Sequence, residues 1–405
     1  MIDRRTLFGA TAATASFVGS LFGKRKAEAA TSSAAKASSF AEHDLQPRGQ
    51  IGRLERLPTQ HLDGQHDFIT GFRVFANRDM TRAARGRIAE IMLAKGKTPI
   101  DDLPIEEILA DIGDDPVIAN SARLWLSAQQ INWRTLYEEF HGKEEAYLAE
   151  MEAADAAGPG TLELNPDMEI PDYTAHEIHI QPGGYVGDPF AGHIYHYGTN
   201  NFYMGRNDQD EMHKEYAGAV PVPDDGKVLR VLDQGCSTGQ LTCALAERFP
   251  EAEVWGIDVG GPMVRYAHMR AVDIGIEAHF AQRLAEDSKF PDSHFDIVTN
   301  NIMFHEVTTD ALHDIIEESF RVLRPGGVFY PMDFYTGTHA PTSVYSKYRQ
   351  WWDSRWNCEP WRLEYAKLDF DGFNEAMRKA GFDVNPEGPP SRRGSRHNTV
   401  GTKPA

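Results

Sequence analysis

The chain has 405 residues, 41 Lys+Arg against 60 Asp+Glu, and a formal charge of −19. At 41% hydrophobic and 25% charged it has the balance of a globular protein rather than a disordered or fibrous one, with length for two folded units. The acidity argues against nucleic acid as a partner, three cysteines exclude a disulfide scaffold or zinc finger, and no internal apolar run suits a membrane span.

Residues 1–29 have a processing logic of their own. Arg4-Arg5 precedes an uncharged, mildly apolar stretch to Gly23, then Lys24-Arg25-Lys26 and the small-x-small Ala27-Glu28-Ala29. The segment resembles a twin-arginine export signal, which implies delivery to the periplasm. The alternatives are a cytoplasmic chain or a leader that holds the protein at a membrane surface. Cleavage removes five basic and two acidic residues, taking −19 to −22. Residues 30–50 lack periodicity and read as a flexible linker.

Residues 51–158 read as a helical domain. Met80, Ala84, Ile88, Ile91 and Met92 recur at helical spacing between Asp79 and Lys95. Pro104 opens a short helix stopped by Gly113, and Asp115-Pro116 opens a longer one through Phe140. A charged helix follows from Glu144 to Ala157. Residues 159–215 read as a loop-rich flap, dense in His, Tyr and Asn. His176 and His179 fall on opposite faces of an expected strand, so no metal site is expected there. Tyr197, Tyr203 and Arg206 are candidates to close over a ligand.

From residue 216 to 405 strands alternate with helices. Strands are expected at Val228–Leu232, Val254–Ile257, Ala278–Phe280, Phe295–Thr299, Gly327–Met332 and Thr399–Lys403. Helices are expected at Gln240–Arg248, Pro262–Val272, Asp310–Leu323 and Phe373–Ala380. The pattern predicts an α/β fold, doubly wound around a mostly parallel seven-stranded sheet and preceded by the helical domain.

Open parallel sheets bind ligands at the carboxyl ends of their strands. The first strand runs into VLDQGCSTGQLT, where Gly235 and Gly239 bracket a tight turn into a helix. Asp233 there repels phosphate and suits an ammonium group. Asp258 ends the next strand, 25 residues later, where a carboxylate accepts ribose hydroxyls. FPDSHFDIV and LRPGG mark the following strands.

In this order VLDQGCSTG, GIDV, FPDSHFDIV and LRPGG resemble the class I S-adenosylmethionine-dependent methyltransferases, including the ubiquinone and other small-molecule enzymes. The resemblance covers about residues 216–405. It implies a Rossmann-like fold and S-adenosyl-L-methionine as cofactor, with S-adenosyl-L-homocysteine as product. It places Gly235 to Gly239, with Ser237 between them, at the methionine part, Asp258 at the ribose, and Leu284, Ala285 and Glu286 around the adenine, with Asp233, Val259, Met263, Asn300 and Asn301 as further cofactor-binding candidates. Two positions depart from the family pattern. Ser237 replaces the middle glycine, tolerable with ordinary backbone angles, and Leu284 replaces an acid against the adenine.

The acceptor is expected over the next strand ends, among Asn300, Asn301, His305, Glu306, Asp333 and Tyr335. His305 is the candidate general base, with Glu306 and Tyr203 as further catalytic candidates. Tyr345, Tyr348, Trp352 and Trp356 follow helical spacing and either roof the acceptor or pack against a neighbouring domain or subunit, as in a homodimer. A small-molecule thiol, hydroxyl or amine is the expected acceptor. A lipid or quinone headgroup at the membrane, or an exported cofactor-binding protein without turnover, are the alternatives.

Overall fold

A computed structural model describes residues 50–51, 53–55, 57–334, 343–391 and 397–405. The leader, nearly all of the linker and Tyr335 lie outside the described residues. The chain divides into two units, one of residues 1–51 and 55–64, the other of residues 52–54 and 65–405. Of the first, the described part includes the opening turn of helix α1 (Gln60–Phe75), where Thr59 Oγ1 accepts from the Leu62 N–H at 3.2 Å. No described helix is long and apolar enough to cross a membrane.

The second unit holds the rest of α1, which runs through one π-turn into α2 (Thr81–Ala94), then α3 (Ile105–Ile112), α4 (Pro116–Gly142) and α5 (Glu144–Ala154). Asp115 caps α4 by accepting from the N–H groups of Val117 and Ile118, and Pro116 supplies the preset φ of a first helical residue. The helix over Gln60–Phe75 was not expected. Ile88, Met92, Ile108 and Trp125 share one apolar cluster with Val344, Tyr348 and Trp352, which belong to a helix far along the chain.

The segment 159–215 is loop-rich up to Phe190 and helical from Ala191. It contributes a two-residue strand, β1 (Leu162–Glu163), and two helices, α6 (Ala191–Phe202) and α7 (Glu211–Ala219). Nine of the twelve residues of α6 are buried, because small Gly192 and Gly198 let it lie against Tyr266 and Trp133.

The alternating half follows the expected order: β2 (Arg230–Gln234), α8 (Gln240–Arg248), β3 (Glu253–Asp258), α9 (Gly261–Ile274), β4 (His279–Gln282), β5 (Phe295–Asn301), α10 (Thr309–Val322) and β6 (Leu323–Met332). It closes with α11 (Val344–Trp356), α12 (Arg362–Ala380) and the strands β7 (Asp383–Pro390) and β8 (His397–Thr402). The sheet has eight strands rather than seven, in the order β1-β4-β3-β2-β5-β6-β8-β7. Two strands were not placed from the sequence: β7, and β1, a short edge pairing parallel to β4. All pairings are parallel except those of β8, which runs antiparallel to β6 and β7.

The central strand explains the layering. Leu232 packs with Ile315, Phe373 and Met377 on one face, and Val231 with Leu241, Leu245 and Tyr216 on the other. Successive side chains of a strand point to opposite faces, so a strand buried on both sides is apolar throughout. Truncating the fully buried Leu232 removes its transfer energy and leaves a cavity. Leu232→Ala is expected to lower unfolding free energy by about 2–5 kcal/mol, checked by urea denaturation.

Candidate active site

The strand ends open onto a cavity of about 900 Å³ with its solvent-filled mouth included. The turn after β2 forms its floor. Gly235 and Gly239 adopt φ of 64° and 72°. A Cβ on Gly239 would sit 2.9 Å from the Phe280 ring, so only glycine fits there. Ser237 also takes a left-handed φ, 51°, contrary to the ordinary angles expected of it. A short polar side chain tolerates that geometry better than a branched one. Its N–H donates to Asp258 Oδ2 at 2.9 Å, and the Gly260 N–H donates to Oδ1 at 2.8 Å. Burial raises the Asp258 pKa, partly offset by these two donors.

Asp233 accepts from Thr242 Oγ1 at 2.7 Å and lines a smaller adjoining cavity with Tyr203, His213 and Cys236. Burial pushes its pKa up to about 7, against the pull of the Thr242 hydroxyl. Tyr203 therefore stands by the turn, at the Asp233 end, rather than at an acceptor site. Arg206 is exposed, and Tyr197 packs on Phe140.

Of the other expected ligand residues, Gly235, Ser237, Asp258, Val259, Ala285, Glu286 and Asn301 line the larger cavity. Met263, Leu284, Gly239 and Asn300 are not among its walls. Asn300 is fully buried, while its neighbour Asn301, on the opposite face of β5, lines the cavity. Glu286 accepts from the hydroxyl of Tyr173, an interaction between segments 113 residues apart.

The far wall comes from His179, Tyr185 and Tyr195, from the segment before the alternating half. Their sequence signal was the density of His and Tyr over 176–203, but nothing local said which rings face inward. The expected strand at His176–His179 is a 3₁₀ turn, Ile178–Ile180. His179 and Ile180 have φ of 56° and 53°. Such angles cost about 1–3 kcal/mol each in non-glycine residues. They persist because Gln129 Nε2 and Trp133 Nε1 both donate to the His179 carbonyl at 2.8 Å.

His305 is not the exposed base that its position promised. It is 1% exposed, with Nδ1 at 2.9 Å from Asp333 Oδ1 and Nε2 at 3.1 Å from Glu306 Oε1. Burial opposes its charge, but Asp333 and then Glu306 outweigh that and push its pKa up to about 10. A sealed imidazolium has no proton vacancy to offer. Glu306 is the member of the pair that reaches the cavity.

The aromatic stripe does not roof this cavity. Tyr348 and Trp352 are buried against α2, α3 and α4, Trp352 edge-on to Trp125, while Trp356 is exposed. The donor atoms of His179, Glu306 and Glu359 lie within 4.8 Å of one another. Nε2 of His179 faces Glu306 and Nδ1 faces Glu359, so the carboxylates flank the ring instead of converging on one edge. Asp333→Asn removes one buried carboxylate from the charged His305 and is expected to cost about 3–5 kcal/mol, read as a lower midpoint in denaturant.

The residues present fit S-adenosyl-L-methionine. Asp258 is held at a strand end with cavity access, Ala285 and Glu286 stand beside it, and the glycine turn leaves its floor free of side chains. Comparison with known proteins agrees. Residues 231–327 match the family described as "Methyltransferase domain". The demethylmenaquinone methyltransferase of Thermus thermophilus is 37% identical over 105 residues, 26% of this chain and 47% of that protein. The ubiquinone/menaquinone biosynthesis C-methyltransferase UbiE of Pseudomonas fluorescens is 36% identical over 123 residues, 29% and 47% of the two chains. The chain thus spans about half the length of the curated relatives it matches. A solved TehB-like methyltransferase from Corynebacterium glutamicum is similar at 16% identity and TM-score 0.36, covering 53% of this chain and 100% of that one. By its sequence match, the strand topology and the acid at the end of β3, the segment 231–327 is similar to the methyltransferase domains, and S-adenosyl-L-methionine is the cofactor that its site fits.

Proposed function

We propose that the protein transfers the methyl group of S-adenosyl-L-methionine to a small-molecule acceptor. The observation that carries this reading is the continuity of one cavity from Asp258, Ala285 and Glu286 to His179, Tyr185, Tyr195 and Glu306. The first group suits an adenosine moiety, and the second leaves an aromatic and acidic compartment for a second ligand. When bound, the cofactor supplies an activated sulfonium methyl, so the protein needs chiefly to orient the acceptor and exclude water. Asp258 would hold the ribose and Asp233 the ammonium of the methionine part. Tyr185 and Tyr195 lie edge to face at 5.2 Å and offer ring surface to a flat or partly apolar acceptor.

A quinone headgroup is the second reading, supported by the two relatives whose names place them in quinone biosynthesis. The Arg4-Arg5 leader supports export of the folded, cofactor-loaded protein. A processed amino terminus near Ala30, found by mass spectrometry of periplasmic extract, would bear that out, and an intact leader in the cytoplasmic fraction would overturn it.

Transfer is tested with methyl-labelled cofactor, full-length protein and fractionated cell extract. Label in an aqueous small molecule supports the first reading and label in the lipid fraction the second. No label in any fraction, with cofactor bound, favours a binding protein.

Cofactor binding has its own signature. The ionised Asp233 is the form that holds an ammonium, and its pKa of about 7 places the transition near neutrality. Affinity for S-adenosyl-L-homocysteine is expected to rise up to about tenfold per pH unit below that value and to level off above it. In Asp233→Asn this dependence should disappear and affinity fall, as measured by calorimetry between pH 5.5 and 8.5.

A further inference from the structure

We propose that His213, as a neutral imidazole with its proton on Nε2, holds the α-carboxylate of the cofactor's methionine part, while Asp233 holds the ammonium. This rests on the S-adenosyl-L-methionine reading above and adds to that site a residue from outside the alternating half.

An α-amino acid presents a cation and an anion on one carbon, so its site needs an acceptor and a donor side by side. The smaller cavity shares Tyr195, Gly235, Ser237 and Asn301 with the larger one, so the two meet along the glycine turn. Its walls carry one carboxylate, Asp233, and, among the described residues, no Lys or Arg. The anionic half of the ligand is therefore met by neutral donors.

Most donors at this end are already committed. The N–H groups of Cys236, Ser237 and Gly239 go to the Ile257 carbonyl, to Asp258 and to the Cys236 carbonyl. Gln240 Nε2 donates to Asp210 Oδ1 at 2.8 Å. Arg270 is buried, pairs with Asp210 and does not reach the cavity walls. The hydroxyls of Tyr203 and Thr238 rotate and serve either role. His213 is the side chain whose role is fixed.

Asn207 fixes it. Its Oδ1 accepts from the Met212 N–H at 3.0 Å, which sets the amide so that Nδ2 faces His213 Nδ1, also at 3.0 Å. An amide NH2 group only donates, so Nδ1 is the acceptor and the ring proton sits on Nε2. Among the described residues Asn207 is the ring's one hydrogen-bond partner, which leaves the Nε2–H to serve a ligand in the cavity that the ring lines. Burial pushes the pKa of His213 down to about 4; Asp210 opposes this and Arg270 adds to it, so the ring is an uncharged donor at neutral pH. Tyr203 and Tyr216 stand edge-on to it at 5.9 and 5.8 Å and hold its plane. A carboxylate placed there relieves a buried, unpaired N–H.

The test compares three ligands by calorimetry on full-length protein near neutral pH. S-adenosyl-L-homocysteine carries both charges, its decarboxylated analogue only the ammonium, and 5′-methylthioadenosine neither. His213→Leu is expected to weaken S-adenosyl-L-homocysteine at least about tenfold, the scale of one hydrogen bond to a charged group, and to leave the decarboxylated analogue within about twofold. His213→Gln restores an N–H donor and should recover part of the loss. Unchanged binding of 5′-methylthioadenosine verifies that the adenosine end of each variant is intact. An equal loss for all ligands, or no loss, overturns the proposal.

The wild type gives a second measurement. With 15N-labelled histidine, the His213 signal, identified by its absence in His213→Gln, should report an Nε2–H tautomer. That signal should move with S-adenosyl-L-homocysteine and stay in place with the decarboxylated analogue. An Nδ1–H tautomer, or a signal moved equally by both ligands, overturns the proposal. Wild-type protein that binds none of the three ligands defeats the cofactor reading itself, whereas binding without discrimination by His213→Leu defeats this assignment alone.

Discussion

The carboxylate of Asp258 ties together the two turns on which the site is built. It accepts from the Ser237 N–H in the turn after β2 and from the Gly260 N–H at the start of α9, while the Cys236 N–H reaches the Ile257 carbonyl at 2.9 Å. Three backbone donors thus converge on the end of β3. Buried N–H groups need such partners, and a charged acceptor makes the stronger bonds. The left-handed angles at Gly235, Ser237 and Gly239 follow from that demand, because only so sharp a turn brings the N–H of residue 237 to the neighbouring strand.

On the other side of the cavity the organising force is charge compensation. Two imidazoles and three carboxylates sit in a largely buried row, where an isolated charge would be far too costly to keep. Alternation of sign solves this and has a consequence for each member. His305 is pushed toward its cationic form between Asp333 and Glu306, and His179 stands between Glu306 and Glu359 with Asn357 Nδ2 on its Nδ1. A histidine near a strand end is therefore no guide to a base until its neighbours are known.

The two halves come from different parts of the chain. The cofactor side is local to residues 233–286. The acceptor side draws on residues 173–195, 302–307 and, behind the wall, 357–362, which meet because α11 shares a core with α2, α3 and α4. The front helices are thus part of the scaffold that sets Gln129 and Trp133 against His179.

The sequence by itself determined the alternating half: strand and helix spacing, the glycine turn, Asp233 and Asp258 at strand ends, and the cofactor they imply. Those features are local, since period-two and period-3.6 patterns and turn chemistry are written in neighbouring residues. Tertiary structure alone decided that Asn301 faces the cavity while Asn300 is buried, that His305 is sealed by Asp333, that Tyr348 and Trp352 pack on the front helices, and that His179 and Glu359 enter from afar. Burial and ion pairing depend on contacts between residues separated by tens to hundreds of positions, such as His179 with Glu306 and Glu359. No window of sequence carries them.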